Sequence, residues 1–192
     1  MIRVAKVGKP SGFDTKVSTP GNAWLAAHRG HERPPNRWKL FTGKLAQGYS
    51  YLCGYAAMHD PTGGTVDHYL SVHHHRMLAY DWDNYRFACG VLNSSKGNAD
   101  DKVLDPYEVG DGWFEIILPS LQMRLTDAVP AGMREKAEYT LKRLKLRDGE
   151  RIIRWRQSWY LEYCQGHLSI DGLRRMAPLI ASAVESQVKA GG

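Results

Sequence analysis

Four runs follow one another between Val66 and Gly97: Val66-Asp67-His68-Tyr69, then Leu78-Ala79-Tyr80-Asp81-Trp82-Asp83-Asn84-Tyr85-Arg86, then Ala88-Cys89, then Asn93-Ser94-Ser95-Lys96-Gly97. Thr65–Tyr69 alternates apolar and polar residues, as a half-buried strand does. Ala79–Ala88 holds a second candidate strand around Tyr85–Ala88. Cys89–Lys96 turns towards helix, and Gly97 is placed to terminate it. The stretch therefore reads as two strands followed by a helix.

The same stretch carries the residues suited to chemistry. Asp67 is a hard oxygen ligand of the kind Mg²⁺ takes. His68 has a near-neutral reference pKa and can accept a proton from water. Neighbours on a strand point to opposite faces, so a bend or bulge is expected if both serve one site. An Asp-His pair alone is more often a surface pair or a cap. Asn84 lies at a loop-to-strand junction, where an amide can tie backbone groups together and brace the loop carrying His68. Asn93 sits where the closing helix begins and could supply a second oxygen to a metal, or simply cap a turn. Lys96-Gly97 is also readable as a solvated helix end.

The order DH, LAYDWDNYR, AC, NSSKG resembles the HNH (ββα-metal) endonuclease superfamily, and within it the small bacterial HNH proteins that accompany ATPases in retron and Septu-type anti-phage systems. The matching stretch is Tyr51–Gly97, continued by Val103–Tyr107 and Asp111–Phe114. The resemblance implies an α+β fold with a ββα-metal core. It makes Asp67 a metal ligand, His68 the general base and Asn84 the loop-bracing asparagine. Asn93 would stand in the place of the last His, which is Asn in several branches, including the HNH domain of the RNA-guided CRISPR nuclease. It further implies one Mg²⁺ or Mn²⁺, a DNA substrate and an ATPase partner. Arg86 and Lys96 are candidate phosphate contacts, although Arg86 can equally pair with Asp81 or Asp83.

Two features depart from that pattern. Many relatives hold a structural zinc with two CxxC pairs, whereas here each pair keeps one cysteine, in Cys53-Gly54-Tyr55-Ala56 and Cys89-Gly90-Val91-Leu92. Two thiolates do not close a tetrahedral site. No structural zinc is expected; Tyr55, Ala56, Val91 and Leu92 are expected to pack in its place. After His68 the chain reads Leu70-Ser71-Val72-His73-His74-His75, where relatives often carry a Pro-Lys-Ser-like run. Adjacent histidines point in different directions and rarely share one ion. The tryptophans are read as core anchors before base-stacking platforms.

Outward from this centre, residues 1–50 read as a basic lead-in: an extended arm over 1–20, a short helix at Asn22–His28, a loop at Arg29–Asn36 and a helical pattern at Arg37–Gln47. Residues 51–126 hold the nuclease-like core and a hairpin made of Trp113–Leu118 and Leu121–Leu125. Residues 127–192 read as a helical bundle: one helix opened by Pro130, one at Ile152–Tyr163 and one at Asp171–Val188. All of this is expected to form one compact domain. Residues 1–50 carry nine Lys/Arg against two acids, residues 51–130 five against eleven, and residues 131–192 twelve against seven. Basic flanks around an acidic centre suit a phosphate backbone held beside a cation.

Three widely spaced cysteines, no apolar N-terminal run and no bilayer-length apolar stretch point to a cytoplasmic chain. The expected activity is hydrolysis of nucleic-acid phosphodiesters. A catalytically silent HNH-fold module that binds nucleic acid or a partner is the alternative. An RNA-cutting enzyme would use the same residues.

Overall fold

Residues 1–30 and 32–191 are described by a computed structural model in which seven helices surround two separate two-stranded antiparallel sheets, an α+β arrangement. In chain order the elements are α1 (Thr19–Ala27), α2 (Thr42–Gly48), β1 (Thr65–His68), β2 (Tyr85–Ala88), α3 (Gly90–Lys96), β3 (Phe114–Ile117), β4 (Gln122–Leu125), α4 (Ala131–Arg143), α5 (Glu150–Cys164), α6 (Ile170–Met176) and α7 (Pro178–Gly191).

β1 and β2 pair in unbroken register, Thr65 with Ala88 through His68 with Tyr85. Gly64 admits the chain to β1 at φ +62°, and a Cβ there would lie 2.2 Å from the Phe87 ring. Only glycine meets both conditions. α3 follows directly and ends at Gly97, φ +53° and ψ −127°, again a glycine conformation. No bulge interrupts β1, contrary to the expectation for adjacent functional residues.

The flanks differ from the sequence reading at two places. The supposed extended arm is irregular only over its first residues. From Asp14 it winds into a π-helical turn, Asp14–Ser18, that runs into α1. Phe13 drives this, because its ring meets those of Phe41, Trp82 and Tyr85 edge-on and is fully buried. The expected helix Asp171–Val188 is two, α6 and α7, broken at Ala177 (φ −151°, ψ 70°). Pro178 is the cause, since proline drives its predecessor out of the helical region. In the loop Arg29–Asn36, His31 lies outside the described residues.

Two apolar clusters hold the chain. One packs the N-terminal residues Phe13, Val17, Leu25, Phe41 and Leu45 onto Val66, Tyr85 and Phe87. The other joins Cys53, Tyr55, Ala88 and Leu92 to the β3–β4 hairpin and to Leu141, Ile152, Leu173 and Ile180 of the C-terminal helices. The β1–β2–α3 unit therefore lies between an N-terminal and a C-terminal helical layer. Arg156 ties that C-terminal layer together. Its buried guanidinium donates to the carbonyls of Leu121 at the hairpin turn and Leu146 after α4, and burial lowers its pKa to about 10. Among the described residues no helix is long and apolar enough to cross a membrane.

Candidate functional site

The cavity of interest, about 720 Å³, is lined by Val66, Asp67 and His68 in succession. A sheet face would present only alternate residues. The cavity therefore borders the edge of β1 away from β2, where Asn93 and Lys96 of α3 donate to the Val66 and His68 carbonyls. Asp67 and His68 do turn to opposite sides of the strand, and both still border it. This explains how neighbours reach one site without a bulge.

His68 turns towards the loop that connects the two strands. Its Nε2 lies 2.9 Å from the carbonyl of Ala79. A carbonyl can only accept, so Nε2 carries the hydrogen and Nδ1 keeps a lone pair. Nδ1 has no partner among the described residues and is not sealed from solvent. Burial, the largest influence, lowers the His68 pKa below its ordinary value. The Ala79 hydrogen bond and the Asp67 charge oppose the shift, while Lys96 and Arg33 add to it. The rings of Trp38 and Tyr85 meet the imidazole edge-to-face at 4.6 and 5.0 Å.

Asn84 fixes the loop that supplies the Ala79 carbonyl. Its Oδ1 accepts from the Leu70 N–H at 2.8 Å, and its Nδ2 donates to the carbonyls of Leu70 and Leu78 at 2.9 and 3.3 Å. The amide thus joins the two ends of the 69–84 connection, one residue away from Ala79. Asn84 is a positioning residue, because it touches His68 only through this backbone.

Asn93, on α3, donates from Nδ2 to Thr65 Oγ1 at 3.0 Å and to the Val66 carbonyl at 3.2 Å. The Thr65 hydroxyl already spends its hydrogen on the Ala88 carbonyl, so both partners can only accept from Asn93. The amide orientation is therefore set, and Oδ1 is left on the cavity side with no protein donor among the described residues.

Asp67 is 2% exposed and doubly bound: Oδ2 accepts from the Tyr55 hydroxyl at 2.6 Å and Oδ1 from Lys96 Nζ at 3.0 Å. Lys96 is fully buried and also donates to the His68 carbonyl at 2.8 Å. Desolvation and the neighbouring carboxylate both push the Tyr55 pKa well above its ordinary value, so Tyr55 stays a donor. Arg86 is turned inward as well. It forms a bidentate pair with Asp105 at 2.6 and 2.5 Å, with its guanidinium against the rings of Tyr107 and Tyr69. Burial alone would lower its pKa, but the Asp105 carboxylate overrides this and holds it raised. The expectation that Arg86 and Lys96 face a phosphate is corrected on this ground. Each buried cation is consumed by a buried carboxylate, and for Arg86 that carboxylate is Asp105, not Asp81 or Asp83.

The donor set for a metal is one carboxylate and one amide oxygen, from Asp67 and Asn93. Among the described residues no three His, Cys, Asp or Glu side chains come together in a way that could hold a metal ion. Mg²⁺ commonly takes one or two carboxylates and completes its shell with water and substrate phosphate, and Asp67 and Asn93, which both line the cavity, carry oxygens of that kind. Lys96, already on Asp67 Oδ1, is the competing cation.

Of the three consecutive histidines, His73 borders the cavity, and His74 Nδ1 lies 2.5 Å from Asp100, which also accepts from the Ser71 N–H. His75 Nε2 is 3.9 Å from the same carboxylate. They pin the loop after His68. Cys53 and Cys89 lie side by side and buried, with the Cys89 N–H 3.3 Å from Cys53 Sγ. Tyr55, Ala56 and Leu92 pack around them, while Val91, expected to do so, is 39% exposed.

Sequence reasoning missed Tyr55, the Ala79 carbonyl and the Arg33–Trp38 wall of the cavity. Comparison with protein-family models gives no match, and comparison with curated proteins gives none either.

Proposed function

We propose that this chain is a metal-dependent endonuclease of the HNH type that hydrolyses phosphodiester bonds in nucleic acid, DNA in the first instance. The observation that carries the reading is the state of His68. Its Nε2–H is committed to the Ala79 carbonyl, its Nδ1 lone pair has no partner among the described residues, and His68, Asp67 and Asn93 line one cavity. That is a general base beside two hard oxygens.

In the proposed reaction a phosphodiester enters along the β1 edge. His68 Nδ1 takes a proton from a water, whose oxygen attacks phosphorus in line with the leaving 3′ oxygen. The P–O3′ bond breaks, and the departing oxygen takes a proton from solvent. The Ala79 carbonyl stabilises the imidazolium that forms, and Asn84 keeps that carbonyl in place. A bound Mg²⁺ or Mn²⁺, held by Asp67 and Asn93, would supply charge stabilisation for the phosphorane and the leaving oxygen. By resemblance to the defence-associated HNH proteins, the natural setting is an anti-phage system in which an ATPase partner controls the nuclease.

The test uses supercoiled plasmid with Mg²⁺ or Mn²⁺, with and without the partner. Cutting is expected, and His68→Ala is expected to reduce it by about 10²-fold or more. Intact plasmid throughout, or cutting unchanged in His68→Ala, rejects the reading.

One observation favours a second reading, a catalytically silent binding module: the Asp67 carboxylate already has Lys96 and Tyr55 as partners. That reading expects polynucleotide or partner binding with no cleavage, and biological activity that survives His68→Ala.

A further inference from the structure

The cavity beside His68 does not end there. A second cavity of about 430 Å³ is lined by Asn36, Lys39, Thr42 and the 63–65 turn, and it shares Arg33, Trp38, Val66 and Asn93 with the first. The shared walls set the two side by side at the edge of β1 away from β2, and taken together they form a channel. It passes His68 at one end and Lys39 at the other, with Arg33 and Trp38 between.

Arg33 stands in this channel on a rigid support. The Arg76 guanidinium donates to the carbonyls of His28 and Glu32 at 2.6 and 2.9 Å. On the other side, the Pro35 carbonyl accepts from the Tyr80 hydroxyl and the Arg37 N–H, both at 2.8 Å. Pro34 is buried, and two prolines in succession restrict the backbone further. The chain is thus tied on both sides of Arg33, and the ties run to the loop that orients His68.

Among the described residues the Arg33 side chain has no bonded partner. It is exposed and makes no ion pair or hydrogen bond among the described residues, and the same holds for the ammonium of Lys39. Arg76, Arg86 and Lys96, three other cations close to the site, are engaged inside the protein. A guanidinium on an anchored backbone, with its donors free at the wall of a channel, can bind phosphate bidentately.

We propose that Arg33 binds the backbone phosphate next to the one facing His68, and that Lys39 binds a phosphate further along, so that one polynucleotide strand lies in the channel across Trp38. This rests on the nuclease reading for the place of the scissile phosphate, but the phosphate track itself does not need cleavage to exist.

Binding is measured on the His68→Ala protein in metal-free buffer, by anisotropy of a labelled single-stranded oligonucleotide over a salt series. Arg33→Ala is expected to weaken binding by about 10- to 100-fold and to reduce the slope of log K against log salt by ~0.7, one phosphate contact on a single strand. Arg33→Lys is expected to restore the slope but only part of the affinity. In the active protein, Arg33→Ala is expected to raise KM more than it lowers kcat. An unchanged slope and KM in Arg33→Ala, while His68→Ala abolishes cutting, overturns the phosphate track and leaves the nuclease standing. A slope that falls in Arg33→Ala, with no cutting by the unmutated protein either alone or with its partner, supports the track and rejects the nuclease. Absence of oligonucleotide binding overturns the track. Thermal melting of each variant, expected to match the parent, separates these outcomes from unfolding.

Discussion

At His68, burial and hydrogen bonding pull in opposite directions, and burial wins. The imidazole is therefore neutral at pH 7 and able to act as a base. Activity is expected to persist down to the ordinary histidine value of about 6.5 and to fall only below it, as the ring protonates at its lowered folded pKa. A profile of kcat/KM against pH is expected to show an acid limb with its midpoint under 6.5; a midpoint above 6.5 would contradict the burial argument. The same shift acts on stability. Between 6.5 and the lowered pKa the unfolded chain binds more protons than the folded one, so the contribution of His68 is present above 6.5 and is lost as pH falls through that window. Lys96 and Asp67 make a different residue-scale case. Both are buried, at 0% and 2% exposure, so solvent screens neither. Lys96→Met leaves the carboxylate with Tyr55 alone and should cost about 3–5 kcal/mol. Adding Asp67→Asn removes the stranded charge and should recover part of that loss. Urea denaturation of the two singles and the double reads this directly, and additive costs would mean that the two charges do not interact.

At the scale of elements, legibility followed how local the cause was. β1, β2 and α3 were readable because each carries its own signal: alternation over Thr65–Tyr69, aromatic residues in Tyr85–Ala88, and a terminating Gly97. Their register was not, because Asp67 faces Arg86 across a 19-residue separation that no short-range pattern encodes. The arm was misread because its helical turn depends on Phe13 finding Phe41, Trp82 and Tyr85, all distant in sequence. The break at Ala177 is legible in principle, since Pro178 disfavours helix at the residue before it. The site divides in the same way. Asp67, His68 and Asn93, which line one cavity, and Asn84, which braces the loop, all come from one short stretch of sequence. Tyr55 and Arg33 come from outside it, and Ala79 contributes a carbonyl, which residue type never reveals. Arg86 and Lys96 were placed outward because a cation in a sequence carries no sign of the carboxylate that will bury it.

At the scale of the whole molecule, the site is held by parts remote from it. Arg143 of α4 donates to the Lys96 carbonyl at the end of α3, at 3.1 Å. Lys136 reaches the Tyr69 hydroxyl, and the Thr140 hydroxyl accepts from the Leu104 N–H at 2.8 Å. α4 thereby fixes the end of α3, the helix that carries Asn93 and Lys96. Beneath these polar ties, Leu141, Leu144, Leu146, Ile152 and Leu173 pack into the same cluster as Cys53, Tyr55 and Leu92. Each such side chain contributes about 1.5–3 kcal/mol on burial, so these five together contribute on the order of 10 kcal/mol. A domain's entire net stability is only about 5–15 kcal/mol. A fragment of residues 51–126 loses all five, along with the N-terminal cluster on the other side of β1–β2. It is expected to show no cooperative urea transition and no near-ultraviolet circular dichroism of fixed tyrosine and tryptophan rings, whereas the full chain shows both. A sigmoidal transition in the fragment with rings still fixed would mean that the strand–strand–helix unit is self-sufficient and that the helical layers serve something other than its support.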